Sequence, residues 1–190
     1  MNDSATKIRR LSKILKVIFA IAACGAPILT AGIWVSDGFP FLKPWFDMTQ
    51  YPEMLRNGPA FIKPYAELTA TTKLLGFLIS LIPTTFFTFA FFLLHRLFGL
   101  FERLNFFSQE SVLCIRKIGF CLLIGQLVFP FYIGLLSLAL SFGNMPGNRF
   151  VSVGFGTEQM TLTIVALIII LASWIMNEGR KLQEEHAATV

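Results

Sequence analysis

The sequence predicts an all-α membrane protein: four transmembrane helices in an up-down bundle, N and C termini cytoplasmic, with a cytoplasmic helical hairpin extension between spans two and three. Three observations lead there. Of 190 residues, 55% are apolar and 14% are charged, with a mean hydropathy of +0.67. Soluble domains carry about 25% charged residues, so much of this chain needs no water-facing surface. Four long runs carry no Asp, Glu, Lys, Arg or His. The basic residues gather beside alternate ends of those runs.

The runs cover residues 17–35, 74–94, 118–142 and 160–176. A helix rises 1.5 Å per residue and the hydrocarbon core is about 30 Å thick, so roughly 20 apolar residues cross it. The fourth run is the shortest and reaches spanning length over 158–177. The first is preceded by Lys7, Arg9, Arg10, Lys13 and Lys16, as a secretory leader would be, and Ile21-Ala22-Ala23-Cys24 resembles a lipoprotein cleavage site. The chain nevertheless stays apolar through Val35, well beyond that cysteine, whereas a leader ends its apolar stretch near the cut. An uncleaved span is expected.

Lys and Arg set orientation. Eleven lie in the N-terminal tail, the 95–117 connection and the 178–190 tail, and five in the 36–73 and 143–159 connections. Four spans put both termini on the richer side, the cytoplasm. This placement accounts for the net charge of +5 without direct nucleic-acid binding. The 36–73 loop is rich in aromatics and prolines, among them Phe39, Pro40, Trp45, Tyr51, Pro59 and Tyr65. Such rings favour the headgroup layer, and the lipid bilayer is the first expected partner.

Between spans two and three, Leu97, Phe98, Leu100, Phe101 and Leu104 recur at helical spacing. The helix of span two is therefore expected to continue and break near Asn105. Ser108 suits the N-cap of the next helix, and Glu110 its positive first turn. Arg103, Asn105, Phe107, Ser108, Glu110, Arg116 and Lys117 make the 95–117 hairpin the candidate partner-binding segment.

Inside the membrane the candidate polar groups are few. Pro27, Pro83 and Pro130 fall near mid-span, and each releases the carbonyl four residues earlier, at Ala23, Ile79 and Gln126. Ordinary kinked packing is the expected reading, since no charged partner accompanies the kinks. The alternative is that, with Thr84, Thr88 and the Gln126 side chain, they converge on a small polar cavity at mid-membrane, as broken helices do in some transporters. A 190-residue transporter would need homo-oligomerisation to enclose a path. Gln126 is expected to bond across helices to Ser80, Thr88 or Ser173. Gly119 with Gly125, or Gly25 with Gly32, would let helices approach closely. The runs 17–35, 74–94, 118–142 and 160–176 hold no Asp, Glu, Lys, Arg or His, and no nucleophile, phosphate-loop or metal-ligand pattern occurs. Neither enzymatic activity nor a cofactor is expected. Cys24, Cys114 and Cys121 form no C-x-x-C, and Cys114 and Cys121, seven apart on one helix face, read as packing.

Residues 97–119, LFGLFERLNFFSQESVLCIRKIG, resemble the DUF2975 family of small four-span proteins of unknown function. The shared pattern is an apolar helix end, a short turn, a Phe-Ser/Thr cap and a basic stretch closing in Arg-x-Ile-Gly. Here these are Phe107-Ser108 and Arg116-Lys117-Ile118-Gly119. Relatives tend to carry Gly-x-Pro-Phe in the turn, where this chain has Leu104-Asn105-Phe106-Phe107. Residues 177–185 are similar to the family's closing helix. The resemblance implies a bacterial plasma (inner) membrane protein without catalytic residues. Relatives often accompany a small regulator, so it also implies a cytoplasmic helix-turn-helix partner.

Overall fold

The computed structural model describes residues 3–35, 68–145, 147–154 and 156–188. Among them the regular structure is four helices: α1 Asp3–Val35, α2 Ala70–Glu102, α3 Gln109–Ser141 and α4 Thr157–Ala188. Each contains a stretch long and apolar enough to cross a bilayer. At 32 or 33 residues each is about 50 Å long, so each runs beyond a 30 Å hydrocarbon layer. The aromatic loop expected over 36–73 lies outside the described residues as far as residue 67.

All three prolines sit inside unbroken helices, Pro27 in α1, Pro83 in α2 and Pro130 in α3. Nearby threonines bond to carbonyls other than those the prolines release. Thr30 donates to Ala26 at 3.0 Å, Thr84 to Ser80 at 2.8 Å and Thr85 to Leu81 at 2.7 Å. In lipid such side-chain bonds keep backbone groups satisfied.

Among the described residues, successive helices are antiparallel and pack on their neighbours in sequence, α1 on α2, α2 on α3 and α3 on α4; no other helix pair packs along its length. Among the described residues α1 and α4 do not pack on each other along their length, and α3, flanked on both sides, carries the most buried residues. One row of contacts fixes the α1–α2 register. Trp34 Nε1 donates to Ser80 Oγ at 3.0 Å, and the Thr30 and Thr84 hydroxyls meet at 2.8 Å. Phe19 stacks on Phe91 and Phe98, His95 Nδ1 lies 2.9 Å from the Lys16 carbonyl, and Lys16 Nζ reaches Glu102 at 3.2 Å. Each threonine hydroxyl has one hydrogen, so whichever of Thr30 and Thr84 donates across the seam releases the carbonyl of its own helix, Ala26 or Ser80, while the other keeps its bond.

Glycines allow two close approaches. A Cβ at Gly76 would fall inside the van der Waals surface of the Trp34 ring, and one at Gly119 would sit 2.6 Å from Ile170 Cγ1 and 3.1 Å from the Ile170 nitrogen. Of the expected pairs, Gly119 and Gly125 do face neighbours, Gly125 with the Phe86 side chain 3.4 Å from an added Cβ. A Cβ added at Gly25 or Gly32 would meet nothing within 4 Å, because they lie away from the face that α1 presents to α2.

The α3–α4 register shapes the rest. With Gly119 against Ala166 and Ile170, antiparallel counting puts Thr157 level with Phe129 and Pro130, about 16 Å short of the end of α3. The chain returns over that distance as an irregular segment. Ser137 Oγ accepts from the Ser152 N–H at 2.9 Å, and Ser141 Oγ accepts from the Phe150 N–H at 3.2 Å. Four residues of helix advance about 6 Å and two of extended chain about 6.6 Å. Serines at i and i+4 therefore match alternate N–H groups of the returning segment.

Candidate functional site

A cavity of about 360 Å³ lies where the start of α4 meets the middle of α2 and α3. From α2 come Pro83, Phe86 and Phe87; from α3, Cys121, Leu122, Gly125, Gln126, Phe129 and Tyr132; from the α4 end, Gly156, Thr157, Glu158, Gln159 and Leu162. The volume falls within the 300–1,000 Å³ of small-molecule pockets. The low starting point of α4 creates it, since the α4 entry turn, rather than a continued helix, faces α2 and α3 there. That turn is well formed. Gly156 donates its N–H to Gln159 Oε1 at 2.9 Å, and its carbonyl accepts from the Met160 N–H at 3.2 Å. A glutamine three residues into a helix reaching back to the N-cap N–H is half of a capping box.

Gln126 is 6% exposed and its Oε1 has no hydrogen-bond partner. The expected bond to Ser80, Thr88 or Ser173 is absent. Ser80 serves Trp34, and Ser173 donates to the Ile170 carbonyl at 2.6 Å within its own helix. Thr88 Oγ1 is itself buried and unpartnered. The alternative of a convergence on one cavity is met in part. Pro83 and Gln126 line the cavity, whereas Thr84 is taken up in the α1–α2 seam. Pro27 belongs to α1, away from the cavity, and Pro130 is buried in α3 without lining it. The polar groups that complete the cavity are on α4, and Glu158 is an exposed carboxylate at its edge. An acid one residue inside the fourth span was the signal in the sequence for it.

The second candidate is the α2–α3 turn. Arg103 follows the last residue of α2, its N–H bonded to the Leu100 and Phe101 carbonyls. Leu104 takes a left-handed φ of 60°, uncommon for a branched side chain. The turn is held from inside. The Asn105 N–H reaches the Leu100 carbonyl at 3.2 Å, and the Asn105 carbonyl accepts from Ser111 Oγ at 2.6 Å. Ser108 caps α3, accepting from the Ser111 N–H at 3.2 Å, and Glu110 lies in the first turn. Leu104 and Phe107 are 37% and 58% exposed. Arg103, Asn105 and Lys117 are exposed, and Arg116 is half-buried with its Nε unpartnered.

Among the described residues no group of three His, Cys, Asp or Glu is placed to hold a metal ion. Cys114 and Cys121 are buried free thiols and Cys24 is exposed; the Cys121 thiol donates to the Phe86 carbonyl at 3.3 Å.

Four helices of spanning length, clothed in exposed Ile, Leu and Phe, define a multi-pass helical membrane protein. Within that class the chain belongs to DUF2975, a family described as proteins of unknown function, whose model matches residues 42–190. Comparison with curated proteins and with solved structures gives no significant match.

Proposed function

We propose that this chain is a non-enzymatic protein of the bacterial plasma membrane, with both termini and the α2–α3 turn in the cytoplasm, that holds a cytoplasmic protein at the membrane. The orientation rests on the excess of Lys and Arg at the Lys16 end of the bundle. The observation that carries the partner role is the turn itself. Its backbone is pinned by Ser108, Ser111 and Asn105, yet Phe107 and Arg103 are both exposed on it. An aromatic and an arginine on one pinned turn are the residue types of interface hot spots. A helix-turn-helix regulator is the partner that the family resemblance brings forward. Crosslinking in cells tests it. A photoreactive residue at Phe107 should capture a specific soluble protein, and capture should fall at least tenfold when Arg103 is replaced by Ala. Recovery of lipid alone at position 107 would end this reading.

A second reading, a small transporter or channel component, is favoured by the cavity beside Pro83 and Gln126. It requires flux across liposomes containing the purified protein. No flux under any imposed gradient would remove it.

A further inference from the structure

We infer that the cavity between α2, α3 and the start of α4 is a binding site for an amphipathic organic cation that carries at least one N–H donor. The inference rests on the cavity being a ligand site, as the transport reading also requires, but not on transport. Three features select the ligand. Phe86, Phe87, Phe129 and Tyr132 supply aromatic walls, which suit a flat apolar body and attract a cation through their ring faces. Glu158 supplies a carboxylate at the rim, and no described residue forms an ion pair with it. Gln126 supplies the third, a carbonyl oxygen on a side chain 94% buried and bonded to nothing. A lone acceptor is satisfied by a donor, and a ligand N–H supplies one in the cavity it lines.

The polarity of the site argues against an anion. The α4 N-terminus alone would attract one. Here, however, the Gly156 N–H is already taken by Gln159, and Glu158 places a full negative charge in the same turn. A lipid tail would meet the aromatic walls but would leave Gln126 Oε1 unsatisfied.

The test is equilibrium binding of ethidium, an aromatic cation with amino groups, to the full chain in phosphatidylcholine nanodiscs, with empty nanodiscs as the blank. Saturable binding at one site per chain is expected. Glu158→Gln, at an exposed position where folding is not at stake, should weaken it at least tenfold. Gln126→Met should weaken ethidium several-fold and leave tetraphenylphosphonium, a cation without N–H, unchanged. Binding no greater than the blank overturns the proposal. So does binding that both variants leave intact, or equal displacement by neutral pyrene, which would mark an apolar cleft filled by lipid. Ethidium binding without ethidium flux keeps the site and ends the transport reading alone.

Discussion

Gly119 and Gly25 invite the same substitution with opposite results. Gly→Ala in a helix interior gains about 0.5–1 kcal/mol from backbone entropy, and that gain is common to both sites. At Gly25 the new methyl meets nothing within 4 Å, so the gain should appear undiminished. At Gly119 it would lie 2.6 Å from Ile170 Cγ1, 3.1 Å from the Ile170 nitrogen and 3.2 Å from the Ala166 carbonyl oxygen. The isoleucine branch can swing aside. The two backbone atoms move only if α4 moves, and Ala166, Ile170 and Ser173 are buried along that contact. Overpacking of this kind costs about 1–3 kcal/mol, which should separate the two variants. Reversible unfolding in mixed micelles with rising dodecyl sulfate, followed by tryptophan fluorescence, measures both. Gly119→Ala should be less stable than the parent and Gly25→Ala slightly more stable. Equal shifts would refute the close approach of α3 and α4, and with it the register that creates the cavity.

Other substitutions follow from the same contacts. Gln126→Met removes a buried acceptor that costs about 1–3 kcal/mol when unpaired; without ligand the variant should be about 1 kcal/mol more stable in the same unfolding assay, and a loss would contradict the unpaired oxygen. Ser137→Ala strips the Ser152 N–H of its acceptor, so hydrogen exchange at Ser152 should quicken while α4 amides near Ile170 stay unchanged. The Lys16–Glu102 pair is partly exposed, 37% and 28% by side chain. A double-mutant cycle should therefore give a coupling below about 1 kcal/mol that shrinks with salt.

The helices were legible because lipid imposes a composition that water does not. Runs of uncharged residues around Phe19, Phe86, Phe129 and Ile168 needed only counting. The cavity was half legible. Pro83 and Gln126 stood out as polar or helix-breaking groups within apolar runs, and both line it. Thr84 stood out equally and serves the α1–α2 seam, because residue type does not say which face of a helix a hydroxyl occupies. The α4 side of the cavity was missed because it depends on register. Nothing local in Glu158 or Gln159 tells that α4 begins opposite Phe129 rather than opposite the end of α3. The Ser137–Ser141 clasp left a trace, two serines four apart on an apolar helix, but its partners at Phe150 and Ser152 lie in a segment without periodicity. Gly76 was overlooked for a similar reason, since its partner Trp34 is 42 residues away in sequence.

Four crossings that return the chain to the side where it began are what the proposed orientation requires. Single cysteines placed at Ser4, Asn105, Asn148 and Thr189, in a protein with Cys24, Cys114 and Cys121 replaced by Ser, report it through a membrane-impermeant maleimide. Labelling of Asn148→Cys is expected in intact cells, with the other three reacting only after lysis. Labelling of the position 105 variant in intact cells, or of positions 4 and 189 on opposite sides, would contradict it.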